Sequence, residues 1–557
     1  MPRARLIAIV VLAGLCLGAV AASAWGKEAP ATHRLTPTRA IAIARHDAKV
    51  TAELRRHPAA KPKAVFKKPH VWEVTWSLRG DNLVRADVND RTARVQDSWT
   101  GYQIEWIMAR GDPGLFGHQL DAVVVWVPLC ALFFFGLLDW RNPWRAVHLD
   151  LLMLLAFNVS HFVFNRGDIG LSVPLVYPVL LWVVARMLWI GFRGLPRGGL
   201  RPTVPVKWLA VITLFLLVFR AGMNIESSGV IDVGYSGVIG ADRTTHGKPI
   251  YGTFPSDDKF GDTYGPLAYY SYIPFEAAWP WHGKWDRLPA AHAAAIFFDL
   301  LTVAGLFLLG RRMRRGRAGR DLGLVFAFAW AAFPYTAFSL ESNTNDALVA
   351  ASVVGILLVA ARPLARGAMV AVAAATKFAP LLLAPLFANL RPLRPRKLAL
   401  YSLGFAGAAT LLMAPTLLDP GLGTFYDRTL GFQSSRGSPF SIWGQDHSLE
   451  AVQTAVKLGV VLLAGLVAFF PKRRSFAQSA ALAAAVVAAS QLTVEHWFYL
   501  YIPWFFPLAL VAMTAGRPAG VEDESEVEEP ELRVIRTKDD PERAGEPALS
   551  SPPVPVG

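Results

Sequence analysis

The residues able to do chemistry stand in polar stretches between long apolar blocks. The longest such stretch, from about Gly222 to Lys284, carries Asp232, Asp242, Asp257, Asp258, Asp262 and His246 among many aromatics. Carboxylates of this kind can take a proton from a weakly acidic hydroxyl, and long loops between membrane spans commonly carry function or form interaction surfaces. Asp242 follows Asp232 by ten residues, nearly three helical turns, so a helical segment would let both share a face. Gly234, Gly237 and Gly240, alternating with apolar residues, are compatible with that helix. A second stretch reads Glu341-Ser342-Asn343-Thr344-Asn345-Asp346, also readable as a solvated turn that caps a helix. A third holds Asp427-Arg428 and then Gln433-Ser434-Ser435-Arg436, running on to Trp443. The last is Glu495-His496-Trp497-Phe498-Tyr499, where a histidine among aromatics also fits an interfacial belt. Lys377 differs from all of these because it lies inside an apolar block. An ionised lysine at that depth is costly unless paired or hydrated, which marks it as functional, with snorkelling to an interface as the alternative.

The elements that must position these residues are membrane helices. Of the 557 residues 53% are hydrophobic and 18% charged, with a mean hydropathy of +0.34; soluble domains carry about a quarter charged residues. Apolar blocks such as 121–139 have the length that crosses a hydrocarbon core. Spans are predicted near 120–139, 146–164, 171–192, 207–222, 289–310, 322–340, 345–361, 398–416, 453–471, 475–492 and 498–514. The fold class is therefore an α-helical polytopic membrane protein of about 11–12 transmembrane helices, with a small extracytoplasmic α+β domain. The net charge of +14 is a topological signal, not a nucleic-acid stripe, because the arginines cluster between spans. Arg141 and Arg145, then Arg193, Arg197 and Arg201, then Arg311 to Arg320, then Lys472 to Arg474 alternate onto one side, the cytoplasmic side. All four polar stretches then share the opposite, extracytoplasmic face. Cys16 and Cys130 both lie in apolar segments and build no metal cluster. Asp150 and Asp299, near the cytoplasmic ends of their spans, and Arg186, able to snorkel, read as structural.

Residues 1–25 have the pattern of a signal peptide or signal anchor. Residues 26–118 read as a folded extracytoplasmic domain, with a helix starting at Thr36-Pro37 and strands around 71–76, 83–88 and Arg94-Val95. This helix-then-meander, closing on Asp97 to Gly101, resembles the PepSY-type module of exported proteins. Residues 119–206 supply extra transmembrane helices, 207–515 the main membrane region, and 516–557 an acidic cytoplasmic tail without apolar periodicity. One apolar stretch, Met369 to Leu390, lies between two basic clusters that both read as cytoplasmic. With Lys377, Pro380 and Pro385 inside it, a re-entrant pair of short helices is expected.

The order Asp232-Val233-Gly234-Tyr235, Gly247-Lys248-Pro249-Ile250-Tyr251, Tyr264-Gly265-Pro266, then Asn343 to Asp346 and Ala375-Thr376-Lys377-Phe378-Ala379-Pro380 resembles the family 87 (DUF2029) glycosyltransferases of the GT-C superfamily. The resemblance covers roughly Lys207 to Ala515. It implies transfer of a sugar, mannose or similar, from a polyprenyl-phosphate donor to a glycolipid or glycan acceptor at the outer face of the plasma membrane. It implies Asp232 as the catalytic base; Asp242, from its spacing, is the secondary acidic candidate. Lys377, Arg436 and Arg428 are implied for the donor phosphate, Arg436 being suited to a bidentate grip. Tyr264, Glu341, Asn343, Asn345, Asp346, Gln433, Trp443 and His496 are expected around the substrate. The lipid-borne donor is the substrate that replaces a nucleotide sugar, and no Walker or Rossmann glycine pattern is present. No metal is assigned, since no Asp-x-Asp pair stands at the matching site. The rival readings are a transporter or lipid flippase, which predicts inverted repeats and a midplane site, and a non-catalytic membrane scaffold.

Overall fold

A computed structural model of the protein describes residues 34–67, 70–79, 81–105, 119–195, 199–390 and 394–514. The expected leader at 1–25, the segment 106–118 and the acidic tail at 516–557 lie outside the described residues. The chain divides into two compact units, Met1–Trp106 and Ile107–Gly557.

In the first unit, helix α1 (Pro37–Arg45) begins where Thr36-Pro37 predicts it, with the Thr36 hydroxyl accepting the Arg39 N–H at 3.3 Å. A second helix, α2 (Ala48–Arg56), is capped by Asp47. Four antiparallel strands follow in the spatial order β1 (Lys61–Lys67), β2 (Val71–Leu78), β3 (Asp81–Asn89) and β4 (Arg94–Thr100). The period-2 alternation of β2 and β3 turns Trp72, Val74, Trp76, Val84, Ala86 and Val88 onto one face, where Ala40, Ala44 and Val50 of the helices cover them. The edge strand β1, upstream of the predicted strands, and α2 are the additions to the sequence reading. Alternating exposed lysines on β1 explain why it looks like linker, yet they are what keeps a sheet edge from pairing with another chain.

The second unit is a helical bundle. Helices α4 (Ala146–Phe164), α5 (Ile169–Arg193), α6 (Val206–Ser227), α8 (Pro289–Met313), α14 (Pro395–Leu418) and α15 (His447–Phe469) are long and apolar enough to cross a membrane. Before them comes α3 (Val123–Leu137), and between α6 and α8 lies α7 (Asp232–Thr245). The bundle is completed by α9 (Gly316–Ala332), α10 (Pro334–Glu341), α11 (Asp346–Leu358), α12 (Pro363–Thr376), α13 (Ala384–Ala388), α16 (Phe476–Gln491) and α17 (Ile502–Thr514). Helices α10, α16 and α17 are buried almost all round and form the centre, whereas α6 and α14 turn Leu214, Val218, Leu403 and Leu411 outward. The basic loops gather at one end, as the arginine pattern predicts. There Arg145 reaches Gly199 O, Arg312 reaches Leu358 O, Arg314 reaches Thr514 O, and Arg474 reaches both Asn389 O and Ala468 O.

The span expected at 322–340 is a pair, α9 and α10, bent by 59°. Pro334 has no N–H to give, so carbonyls at the end of α9 lose helical partners. Arg220 supplies them, donating to Trp330 O at 3.2 Å and Ala331 O at 3.0 Å, while its charge meets Asp299 at 2.7 Å. Asp299 therefore sits in mid-helix with a cation, not near a cytoplasmic end. Likewise Arg186 does not snorkel but holds Asp150 at 2.9 and 3.0 Å. A buried charge needs its partner close by, and in both cases that requirement fixes the helix register.

The segment between the two basic clusters breaks at Lys377, whose backbone is extended between α12 and a 3-10 turn, Ala379–Leu383. Arg366 at its start bonds Ala360 O, and Asn389 at its end bonds Ala468 O and Arg474. Both feet of the hairpin thus stand at the basic end. Its tip, Lys377, reaches the far end of the bundle.

Candidate functional site

At that far end the hairpin tip meets the head of α11. Lys377 Nζ lies 2.5 Å from Asp346 Oδ1, and both side chains are buried. The Trp504 indole donates to the same oxygen at 2.8 Å. The ammonium stands over the rings of Tyr264 and Trp504, each at 5.1 Å, and of Tyr501 at 5.7 Å. A cation enclosed by aromatic faces and one carboxylate is held by cation–π and ionic attraction together. Gly265 makes the approach possible: a β-carbon there would stand 2.1 Å from Ala375 O, so no side chain fits between the Tyr264 loop and the end of α12.

Asp232 opens α7 and is exposed, its carboxylate accepting the Val233 N–H at 2.9 Å. Its negative charge suits the positive end of the helix dipole. The glycine stripe expected on this segment is the face by which the helix docks. A β-carbon at Gly234 would meet Asn343 O at 2.2 Å, and ones at Gly237 and Gly240 would meet the rings of Tyr272 and Tyr269. Tyr264 and Tyr501 each lie within electrostatic reach of Asp232, Asp346 and Arg436. The exposed acid, the buried ion pair and the arginine therefore surround the same two phenols. His496 stands beside Arg436 and bonds the Ser438 hydroxyl at 2.9 Å. Burial, then Arg436, hold its imidazole well below the usual range, so it is neutral at physiological pH.

The remaining predicted residues divide. Asn343, in a left-handed conformation, spends its amide on Ser228 Oγ and Gly229 O, both at 2.8 Å, and its carbonyl on Asn224. It pins the turn to α6. Glu341 Oε2, Asn345 Oδ1 and Asp346 Oδ2 are buried without a hydrogen-bond partner among the described residues, so this turn is a packed polar knot, not a solvated one. Arg428 forms a fork with Asp262, at 2.5 and 2.8 Å, and Asp262 also accepts the Gly252 N–H. Trp443 is buried and donates to Leu492 O at 2.9 Å. Gln433 lies on the short helix Phe432–Ser435. Asp242 does sit on the same helix as Asp232, but about 15 Å along its axis at 1.5 Å per residue, paired with His246 at 3.2 Å. Tyr501 and Trp504, which complete the cage, are not singled out by the sequence, because they lie inside an apolar span far along the chain from Lys377. Among the described residues no group of three or more His, Cys, Asp or Glu side chains is arranged to hold a metal ion.

Asp258 lies behind Asp232. Its Oδ2 accepts the Ser236 hydroxyl at 2.8 Å, and burial, with Asp232, Asp257 and Asp262 nearby, pushes its carboxyl up to about 8. At neutral pH it is mostly protonated, which spares Asp232 a like-charged neighbour. The folded protein keeps a proton that the unfolded chain releases near 3.8. Stability should therefore fall as pH rises through about 8 and then level off. Unfolding midpoints of the detergent-solubilised protein from acid to alkaline pH should show this slope, and Asp258→Asn should flatten it.

No curated protein matches the chain. Among solved structures it is similar to the crystal structure of ArnT from Cupriavidus metallidurans bound to undecaprenyl phosphate, with 15% identity and a TM-score of 0.36 over 56% of this chain. The chain spans 59% of that protein's length. Residues 263–514 match the model of glycosyltransferase family 87, a range that includes the Lys377 hairpin, the Asp346 turn, Arg436 and the Tyr501–Trp504 cage and begins after Asp232. Over those residues this multi-pass membrane protein is similar to the family 87 glycosyltransferases.

Proposed function

We propose that the protein transfers a sugar, mannose or a similar hexose, from a polyprenyl-phosphate donor to a glycolipid or glycan acceptor at the extracytoplasmic face of the plasma membrane. The observation that carries this reading is the meeting of an exposed carboxylate, Asp232, with a cationic and aromatic floor at one end of the bundle. An acceptor hydroxyl is a poor nucleophile at neutral pH, and Asp232 takes its proton as the new bond to the anomeric carbon forms. The anomeric carbon develops oxocarbenium character as the bond to phosphate stretches. Charge then grows on the leaving lipid phosphate and needs a cation beside it. Arg436 suits that role best, because its field acts on the same tyrosines as that of Asp232. Lys377 and Arg428 are each ion-paired, to Asp346 and Asp262, and on this reading they shape the pocket and lend it positive potential. The sugar packs on Tyr264 and near His496.

The polar groups collect at one end, not at mid-depth, which favours interfacial transfer over carriage across the bilayer. Purified protein in nanodiscs, given a radiolabelled mannosyl polyprenyl phosphate and a membrane glycolipid extract, is expected to move label into the glycolipid fraction and release polyprenyl phosphate. Absence of transfer with mannosyl, glucosyl and arabinosyl lipid phosphates alike would overturn the reading.

A further inference from the structure

Helices α4 and α5 precede the segment that matches family 87. Their inner face makes polar contacts with three of the segments that carry the site. Ser160 Oγ donates to Ser172 O at 2.6 Å, so the hydroxyl of Tyr499, 2.6 Å away, is the donor to Ser160. Tyr335 donates to Asn158 Oδ1 at 2.9 Å, an oxygen it shares with the Trp126 indole at 3.1 Å. Tyr177 Oη accepts the Ile442 N–H at 3.2 Å, and Gln445 donates to Ile169 O at 3.0 Å. Ring contacts seal the seam: Phe157 on Trp497, His161 on Tyr499, Phe164 on Phe498.

Each core partner lies a short step from a site group. Tyr499 begins the turn that ends on Tyr501 and leads to Trp504. Tyr335 stands on α10, which runs into the turn ending at Asp346. Ile442 and Gln445 bound the short helix of Trp443, downstream of Arg436. In lipid, apolar surface gains little by leaving one greasy neighbour for another, so hydrogen bonds and close packing set how such helices dock. Buried hydroxyls and amides that lose their partners are costly, which makes this register specific.

We propose that α4 and α5 form a buttress that positions the transfer site, with Asn158, Ser160 and Tyr177 as positioning residues that fix the Tyr501–Trp504 cage, the Asp346 turn and the Arg436 segment relative to one another. The kinetic part of this inference rests on the transferase reading; the structural part does not. In the full-length protein in nanodiscs, Asn158→Ala/Ser160→Ala and, separately, Tyr177→Phe should raise hydrogen–deuterium exchange selectively in peptides covering 436–446 and 496–504. With radiolabelled mannosyl polyprenyl phosphate as probe, kcat should fall roughly ten- to a hundred-fold, the effect of misplacing reacting groups by about an ångström, with KM changed less than about two-fold. Ser160→Thr should restore both. Val159→Ala, on the same helix but facing outward at 58% exposure, should leave both at wild-type values. Unchanged exchange in the two peptides, or loosening spread evenly over the protein, would overturn the proposal. If the wild type does not turn over the probe, the transferase reading fails while the exchange experiment still decides the buttress.

Discussion

Asp232→Asn is expected to lower kcat for sugar transfer by about two to four orders of magnitude, the usual contribution of a positioned general base, while leaving the protein folded. The amide keeps the shape of the carboxylate and can still accept the Val233 N–H that the aspartate accepts at 2.9 Å. What it loses is the ability to take a proton and the favourable interaction with the start of α7, worth about 0.3–1 kcal/mol at an exposed helix end. Because Asp232 is exposed and Lys377, Arg428 and Arg436 are untouched, donor binding should persist, and KM for the lipid donor should stay within about a factor of two. The matched variant is Asp242→Asn. Asp242 stands at the other end of the helix in contact with His246, and its loss should leave transfer near the wild-type rate. Initial rates of both variants, with unfolding midpoints alongside, separate the two acids. Full activity in Asp232→Asn with loss in Asp242→Asn would move the base to the second acid.

Much of this arrangement was legible in the chain because membranes impose simple rules. Apolar blocks of span length, separated by arginine clusters, told which ends of the helices lie together, and the contacts of Arg145, Arg312, Arg314 and Arg474 bear that grouping out. Lys377 announced itself as a charge in an apolar block, followed by Pro380 and Pro385, and the chain does break there. Its partner was not legible. Asp346 is 31 residues away in sequence, and the two meet only because the hairpin turns back at the far end, so the Asn343–Asp346 stretch looked equally like a solvated turn. Arg220 was hidden for a related reason. It lies in a span whose apolar neighbours mask it, and only Pro334, more than a hundred residues later, creates the unpaired carbonyls that it caps. Asp258 and Asp262 were visible as acids, but their roles depend on burial, which a loop rich in glycine and proline does not disclose. Local chemistry was readable; long-range pairing was not.

The ion pair at the hairpin tip should produce the largest stability effect. Lys377→Met would leave Asp346 fully buried with the Trp504 indole as its remaining hydrogen bond, and removing one partner of such a pair typically costs about 3–5 kcal/mol. That is a large share of the roughly 5–15 kcal/mol by which folded domains are usually stable, so a sharp drop in unfolding midpoint and in yield is expected. Asp346→Asn should be damaging for the converse reason, since it strands the ammonium among Tyr264, Tyr501 and Trp504. Those rings soften the loss through cation–π attraction of about 2 kcal/mol when desolvated, so this variant should be the less destabilised of the two. The double variant Lys377→Met/Asp346→Leu removes both charges and replaces them with apolar groups of similar size. It should recover much of the stability lost by Lys377→Met, because a buried pair adds little over a well-packed apolar substitute. It should not recover transfer in full, since the pocket loses the shape and positive potential that Lys377 lends it beside Arg436. The measurement is a double-mutant cycle in unfolding midpoints, run beside binding of a polyprenyl phosphate, the proposed leaving group, followed by tryptophan fluorescence. If instead Lys377→Met keeps wild-type stability and loses only phosphate binding, the lysine is a direct ligand of the donor and Asp346 merely its resting counterion.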